Sequence, residues 1–211
     1  MSRIICLIIG YAFGMIQTSY FIGRAKGLDI REFGSGNAGT TNAMRVLGKK
    51  SGWITVIVDI LKCIAAVIVT WLIYRNSGIT PLLKIWTAAG AILGHDYPVY
   101  LGFRGGKGIA AAAGMIIAFG DWRLIVLCTL CFFIPALFTH HISVGSLCLS
   151  AAFLIGMIIC GQLGSYGMDQ NHLTEMYIIT AAITALAFIQ HRGNIKRLAE
   201  GTERVVWVRK K

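Results

Sequence analysis

The amino-acid sequence predicts an all-α integral membrane protein with seven transmembrane helices. Of its 211 residues, 56% are hydrophobic and only 14% are charged, and the mean hydropathy is +0.69. A chain this apolar cannot bury its hydrophobic side chains inside a soluble globule, so a lipid bilayer is the expected solvent. Spans of about 20 residues joined by short connections would use nearly the whole length. We therefore expect one membrane domain over residues 1–211.

Seven apolar segments are the candidate spans. Their approximate bounds are 4–23, 53–74, 83–103, 108–120, 124–139, 142–161 and 174–190. The fourth is the weakest candidate, because a helix over 108–120 covers roughly 20 Å of a hydrocarbon layer of about 30 Å. A re-entrant segment is the alternative to a full crossing there, and it would change the topology.

Basic residues are distributed unevenly between the connections. If all seven segments cross, the connections at 24–52, 104–107, 139–141 and 191–211 share one side of the membrane and carry 15 Lys and Arg residues. The opposite side carries four: Arg3, Arg75, Lys84 and Arg123. The positive-inside rule then predicts an external N-terminus and a cytosolic C-terminus.

The net charge of +11 is explained by this topology and by attraction to anionic membrane lipid. No nucleic-acid partner is expected, since no basic segment has the interleaved aromatic residues of a strand-binding surface. No metal site is expected either. Cys128 and Cys131 form a CxxC pair, but nine residues of helix separate Cys131 from His140, a distance of roughly 13 Å.

The first cytosolic connection contains GSGNAGTTN, from Gly34 to Asn42, followed by Arg45. Its glycines can bring successive backbone N–H groups together in a nest, and the guanidinium adds a permanent positive charge. The segment is therefore predicted to bind an anion such as phosphate. The predicted ligands are Ser35, Asn37, Gly39, Thr41, Asn42 and Arg45. The alternative is a flexible loop whose Asn and Thr side chains cap the next helix.

The second motif is GHDYPVYLGFRGGKG, from Gly94 to Gly108, at the cytosolic end of the third span. Glycines beside a lysine at a helix start favour an anion through N–H groups and the helix dipole. The predicted phosphate ligands are Arg104, Gly105, Gly106, Lys107 and Gly108. The motif is not a Walker A loop, because Gly108 stands where Ser or Thr would hold magnesium. A basic anchor at a helix end would explain the two basic residues but not the three glycines.

The third motif is HRGNIKRLAEGTE, from His191 to Glu203, after the last span. His191 and Asn194 lie one helical turn apart and could face the same way. His191 is the most natural titrating group among the three motifs. A lipid-facing amphipathic tail is the alternative, and it would not need these two residues.

The second span carries a pair of opposite charges, Asp59 and Lys62, three residues apart. We expect them to pair on one helix face inside the membrane. Charged residues at such depth are candidates for function, and here structural locking and substrate contact are both open. His95 and Asp96, at the end of the third span, are either part of a site or satisfied boundary residues.

At these motifs the sequence resembles the bacterial acyl-phosphate:glycerol-3-phosphate acyltransferase family, the PlsY-type integral membrane enzymes. SGNAGTTN, GHDYPVYLGFRGGKGIA and HRGNIKRLAEGTE occur in the family's order. The seven-helix layout with an external N-terminus also matches, and Asp59 with Lys62 fits the family's second-span pattern. Thr40 and Ala111 stand where the family commonly has Ala and Thr.

The resemblance implies transfer of a long acyl chain from acyl phosphate to the 1-hydroxyl of glycerol 3-phosphate, which yields lysophosphatidic acid and phosphate. This is the first acylation step of phospholipid biosynthesis. It implies a multi-pass protein of the bacterial cytoplasmic (inner) membrane with its active site on the cytosolic side. The implied partners are the two substrates, membrane lipid and the soluble enzyme that supplies acyl phosphate. No cofactor is expected, because acyl phosphate is already activated.

The predicted roles follow from the chemistry, which needs two anions held close together and stabilisation of the departing phosphate. Lys107 with the 105–108 backbone is predicted to hold the donor phosphate. Ser35 and Arg45 are predicted to hold glycerol 3-phosphate. His191 and Asn194 are predicted to orient the reacting groups, with His191 as the best protein candidate for a base.

Two other functions fit the sequence less well. A transporter for a phosphorylated small molecule is the alternative, but the motifs are not repeated in two halves and do not lie at the midplane. The acyl-CoA class of acyltransferase uses a His followed five positions later by Asp. The residues five positions after the histidines are Tyr100, Gly145, Ser146, Tyr177 and Lys196, so that class is disfavoured.

Overall fold

The computed structural model describes residues 1–205 and is all-helical in that part of the chain. Arg209, Lys210 and Lys211, which belong to the basic C-terminal connection, lie outside the described residues. The chain forms two compact units, one over Met1–Phe119 and one that begins at Gly120. The all-α prediction is confirmed, and the prediction of one domain over 1–211 stays a prediction.

The first unit contains six α-helices and two 3₁₀ helices. The α-helices are α1 Ser2–Gly14, α2 Thr18–Ala25, α3 Thr40–Val46, α4 Lys49–Tyr74, α5 Thr80–Asp96 and α6 Ile109–Phe119. The 3₁₀ helices are Ile30–Glu32 and Val99–Leu101. The second unit contains α7 Trp122–Thr139, α8 Ile142–Gln162, α9 Gln170–Gln190 and α10 Arg192–Ala199.

All seven predicted apolar segments contain helix. Within the described residues, five helical segments are long and apolar enough to cross a membrane: Ser2–Ala25, Lys49–Tyr74, Trp122–Thr139, Ile142–Gln162 and Gln170–Gln190. The other two are shorter, with 17 residues in α5 and 11 in α6. The structure therefore supports a membrane protein, whereas seven full crossings stay a prediction.

The predicted first span is two helices, and its break is held by side chains from elsewhere in the unit. The backbone leaves helical geometry at Gln17, whose φ and ψ are −101° and 83°. The carbonyl of Met15 accepts a hydrogen bond from the Tyr100 hydroxyl at 2.7 Å, and that of Ile16 accepts one from Lys62 Nζ at 2.6 Å. These donors satisfy carbonyls that the break would otherwise leave unpaired inside a membrane.

The predicted third span, 83–103, is longer than the helix that forms. α5 ends at Asp96, and Tyr97 has φ −132° and ψ 58°. Pro98 is the cause, because its ring disfavours helical geometry at the preceding residue and it has no N–H for the helix ladder. The chain therefore turns seven residues earlier than predicted, and the second motif starts in the last turn of α5 and continues into the loop after it.

Helices α1 and α5 pack at backbone distance through paired glycines. Gly10 and Gly14 lie on α1, and Gly90 and Gly94 lie on α5. A Cβ atom at Gly90 would overlap the Leu7 carbonyl oxygen, and one at Gly10 would overlap that of Thr87. Each helix thus presents two small residues four positions apart, the pattern that lets membrane helices approach closely.

In the second unit, α7 and α8 form a helical hairpin closed by a left-handed residue, His140, with φ 59°. Gly145 of α8 lies against the Phe132 carbonyl oxygen of α7, where a Cβ atom would overlap it. Large apolar side chains of α7 remain exposed, including Leu130, Phe133 and Phe138. Such a face is suited to contact with lipid.

Gly90→Ala should destabilise the first unit, because the added methyl forces α1 and α5 apart along their whole contact. We expect a loss of about 1–3 kcal/mol, measured as a lower melting temperature in detergent. Gly78→Ala is the matched control, since a Cβ atom there would meet no heavy atom within 4 Å. Equal melting temperatures for the two variants would contradict the close packing of α1 against α5.

Candidate functional site

The first two glycine-rich motifs lie in direct contact in the structure. The carbonyl oxygen of Gly105 accepts a hydrogen bond from the side-chain amide of Asn37 at 3.3 Å and another from the backbone N–H of Ala38 at 3.3 Å. The Ala38 carbonyl in turn accepts from the Ser19 hydroxyl of α2 at 2.7 Å. Two segments predicted separately to bind phosphate therefore form one structure at one end of the first unit.

Asn42 organises the first motif from within. Its side-chain oxygen accepts from the Ser35 N–H at 2.9 Å, and its amide nitrogen donates to the carbonyls of Ile30 and Phe33 at 3.2 and 3.0 Å. Both amide hydrogens are thus used, and the residue is only 2% exposed. Its contacts indicate a loop-shaping role in place of the predicted substrate contact. The alternative of Asn or Thr capping is not seen either, since the N-cap of α3 is Gly39.

The remaining polar groups of this motif face outward. Ser35, Thr41 and Arg45 are exposed, whereas Asn37 and Gly39 are half-buried. Arg45 lies in the last turn of α3. Three of the predicted ligands on this loop, Ser35, Thr41 and Arg45, are therefore accessible from solvent.

The glycines of the second motif are required by the end of α5. The N–H groups of Gly105 and Gly106 donate to the carbonyls of Asp96 and His95, at 3.0 and 2.9 Å. A Cβ atom at Gly105 would overlap the His95 carbonyl oxygen, and one at Gly106 would overlap the His95 imidazole. These two N–H groups are already engaged, whereas helix geometry leaves the first N–H groups of α6 without intrahelical partners. The phosphate contact of the 105–108 segment stays a prediction.

The two basic residues of this motif differ in environment. Arg104 is exposed, while Lys107 is half-buried. Lys107 is followed by Gly108, whose φ of 72° lets the chain turn sharply into α6. Lys107 thus lies two residues before the start of α6, and a positive charge and a helix N-terminus both favour an anion.

Arg31 is a member of the site framework that sequence analysis missed. Its guanidinium donates to the Leu101 carbonyl at 2.7 Å and forms a bidentate pair with Asp29, and it also lies 5.1 Å from the Tyr20 ring centre. The hydrogen bonds from Arg31 lower the pKa of the Asp29 carboxyl. This clip joins the first connection to the segment after α5. In the sequence, Asp29 and Arg31 lie two positions apart and look like an ordinary pair of surface charges, so no pattern distinguishes them.

The third motif belongs to the second unit and is built around Glu203. One carboxylate oxygen accepts from the Asn194 amide at 2.6 Å and from the Ser143 hydroxyl at 3.1 Å, and the other accepts from Arg197 at 2.7 Å. Burial would raise the pKa of Glu203, but these hydrogen bonds outweigh burial and lower it. Glu203 thus stays ionised at neutral pH and fixes the orientation of Asn194.

His191 is 4% exposed, and its protonation pattern follows from one contact. Nδ1 lies 2.7 Å from the Ala187 carbonyl oxygen. A carbonyl only accepts, so Nδ1 must carry the hydrogen. In the neutral ring, Nε2 is then the nitrogen with a lone pair, and it can accept a hydrogen bond or a proton.

The intramembrane charges form a buried network in the first unit. Lys62 Nζ lies 2.8 Å from Asp59 Oδ1, 2.6 Å from the Ile16 carbonyl and 2.8 Å from His95 Nδ1. The three hydrogens of the ammonium therefore have three acceptors. Of the two roles left open by the sequence, the contacts support structural locking for Lys62.

An apolar groove lies on α1 and α5. Its volume is about 290 Å³, and it is lined by Leu7, Ile8, Tyr11, Leu93, Tyr97 and Phe103. The Tyr11 hydroxyl is turned to the Tyr97 carbonyl at 2.7 Å. Tyr97 and Phe103 belong to the second motif, so the groove adjoins that motif. Within residues 1–205, no group of three or more His, Cys, Asp or Glu residues could hold a metal ion.

Helices suited to a membrane, together with two joined loops suited to phosphate, define an integral membrane protein that handles phosphorylated molecules. The sequence model described as Glycerol-3-phosphate acyltransferase matches residues 4–201. Among curated relatives, the glycerol-3-phosphate acyltransferase of Clostridioides difficile is 36% identical, over 99% of this chain and 98% of its own. That of Chlorobaculum tepidum is 38% identical, over 93% of each chain. This chain belongs to the glycerol-3-phosphate acyltransferase family, and the resemblance stated from its motifs is confirmed.

Solved structures agree with this assignment. A crystal structure of PlsY, an integral membrane glycerol 3-phosphate acyltransferase, in its glycerol 3-phosphate form, has a TM-score of 0.83 and 29% identity, over 98% of this chain and 96% of that one. The lysophosphatidic acid form of the same protein has a TM-score of 0.80 with the same identity and coverage. The fold is thus shared over nearly the whole length.

Proposed function

We propose that this protein transfers a long acyl chain from acyl phosphate to the 1-hydroxyl of glycerol 3-phosphate, which yields lysophosphatidic acid and phosphate. The observation that carries the proposal is the contact of Asn37 and Ala38 with Gly105, because it joins two phosphate-type loops. A reaction between two phosphorylated substrates needs two anion sites close together. Membership of the glycerol-3-phosphate acyltransferase family supports the acceptor, and the second loop supports a phosphorylated donor.

In the proposed reaction, the 1-hydroxyl oxygen attacks the acyl carbonyl carbon and the bond from that carbon to the phosphate oxygen breaks. The hydroxyl proton leaves with the phosphate, so a separate protein base is not required. Lys107 and the first N–H groups of α6 stabilise negative charge on the departing phosphate. Arg104 adds positive charge at the same loop.

Ser35 and Arg45 hold the phosphate of glycerol 3-phosphate in this scheme. Their support is their exposure on the first loop, beside the backbone that Asn42 shapes. His191 and Asn194 orient the reacting groups. The acyl chain lies in the apolar groove on α1 and α5, which ends at Phe103.

We propose that the protein spans the bacterial cytoplasmic membrane seven times with all three motifs on the cytosolic side. The support is the unequal distribution of basic residues, 15 against four. Cytosolic access suits a soluble glycerol phosphate and a soluble enzyme that supplies acyl phosphate.

Reporter fusions test this topology. Fusions after Gly48, Lys107 and Lys211 should all report the cytosol, and a fusion before Arg3 should report the outside. If the Lys107 fusion reports the opposite side from the other two cytosolic ones, the seven-span layout is wrong, and the first and second motifs cannot act together.

Acyl transfer itself is tested with purified protein, acyl phosphate and glycerol 3-phosphate in detergent. We expect lysophosphatidic acid and phosphate in equal amounts, without nucleotide, coenzyme A or metal. A transporter needs two compartments and would release no phosphate in this assay. Activity that is abolished by EDTA and restored by a divalent cation would contradict metal independence.

Lys107→Ala and Arg45→Ala should affect different kinetic parameters. Losing a donor that stabilises developing charge costs about 10²–10³ in kcat, and this is expected for Lys107→Ala. Arg45→Ala should mainly raise the KM for glycerol 3-phosphate, because it binds ground and transition states alike. Lys84→Ala, on the predicted external side, is the control. A kcat effect of Arg45→Ala as large as that of Lys107→Ala would contradict the division of roles.

His191 can be tested with two amides of different length. Asn places its amide near the Nδ1 position and can keep the bond to Ala187, whereas Gln reaches towards the Nε2 position. If His191 positions the hydroxyl, one or both amides should keep substantial activity. Loss in both variants as deep as in Lys107→Ala, with a wild-type rate that titrates between about pH 6 and 7, would make His191 the base.

A further inference from the structure

His95 ends α5 inside the site framework, yet the proposed reaction gives it no role. His95 is only 2% exposed to solvent. Lys62 Nζ approaches its Nδ1 to 2.8 Å. An ammonium group only donates, so Nδ1 must be the acceptor and the imidazole is neutral with its hydrogen on Nε2. The buried ion pair of Lys62 and Asp59 therefore fixes one tautomer of His95.

The Nε2 edge of His95 faces Gly106. A Cβ atom on Gly106 would overlap Nε2 and the two carbon atoms beside it, so only glycine leaves this edge uncovered. Within residues 1–205, the His95 ring makes one hydrogen bond, and its donor is Lys62. The Nε2–H donor is thus held in a nearly buried ring, directed at the loop, and it lacks a protein acceptor in the described part of the chain.

The Nε2–H group is therefore available to a ligand at this loop. The loop that it faces is anchored on the same histidine, since the Gly106 N–H donates to the His95 carbonyl at 2.9 Å. Gln17 donates to that carbonyl as well, at 2.8 Å. The backbone of His95 thus positions the loop, and its ring offers a neutral donor next to Lys107.

We propose that His95 Nε2–H is a further ligand for the phosphate held beside Lys107, and that Lys62, paired with Asp59, is the positioning residue that fixes this donor. The inference rests on the proposed function for the identity of the phosphate. A neutral donor adds a hydrogen bond to phosphate without adding net charge. It thus complements the Lys107 ammonium in stabilising the leaving group.

The test measures binding of inorganic phosphate, the leaving group, as a rise in melting temperature with phosphate concentration. Asn in place of His95 can accept from Lys62 through its side-chain oxygen but does not reach the Nε2 position. Gln reaches that position with a donor. We expect His95→Asn to weaken phosphate binding roughly 10- to 100-fold and to raise the KM for acyl phosphate, with the KM for glycerol 3-phosphate unchanged.

His95→Gln should recover most of the phosphate affinity even where it melts lower than His95→Asn. His172→Asn, near the start of α9 in the second unit, is the control and should bind phosphate as the wild type does. Wild-type phosphate affinity in His95→Asn would overturn the inference, and so would equal losses of affinity in the Asn and Gln variants. Phosphate binding that depends on His95 in a protein without acyl transfer would instead refute the proposed function alone.

The role of Lys62 is tested by a spectroscopic signature. In protein labelled with ¹⁵N at histidine, His95 should show the Nε2–H tautomer. The double variant Asp59→Asn, Lys62→Met removes both buried charges together, so it leaves neither one unpaired. It should shift the tautomer balance and weaken phosphate binding. An unchanged His95 tautomer in this variant would show that Lys62 does not position the ring.

Discussion

The end of α5 is the constraint on which the rest of the first unit depends. Inside a membrane, every backbone polar group must find a partner in the protein, and α5 stops at Asp96 because of Pro98. The last carbonyls of α5 are satisfied by the N–H groups of Gly105 and Gly106. This need returns the chain to the helix end and creates the loop that carries Lys107. The loop that carries Lys107 therefore caps the carboxyl end of α5, in addition to its proposed role in binding phosphate.

The same requirement explains why charge is buried beside this loop. The break between α1 and α2 frees the Ile16 carbonyl, and Lys62 donates to it while pairing with Asp59. Burying two charges is costly, and their mutual attraction offsets part of that cost. Lys62 offsets more of it through its contacts with the Ile16 carbonyl and with His95. One ammonium group therefore connects the helix break, the second span and the end of α5.

Apolar runs were sufficient to locate helix in all seven candidate segments, and within residues 1–205 five helical segments are long and apolar enough to cross a membrane. The break at Gln17 could not be predicted, since residues 15–17 include neither glycine nor proline and the stabilising donors are distant in sequence. The early end of α5 was predictable from Pro98 and was missed because the apolar run continues past it. The motifs could be found in the sequence, but the contact of Asn37 with Gly105 spans 68 positions and is set by tertiary packing.

Residue type alone also misassigned some roles. Asn42 and Gly106 have the composition of ligands, yet one shapes its loop with three hydrogen bonds and the other leaves room for a histidine ring. Glycine and asparagine are selected in phosphate loops both for contact and for backbone shape, and only geometry separates the two reasons. His95 shows the opposite error. In the sequence it looks like a boundary residue, whereas in the structure Lys62 fixes the tautomer of its ring and leaves the Nε2–H group as a donor. A site of this kind has its charge on exposed side chains such as Arg45, whereas buried neutral groups fix its geometry.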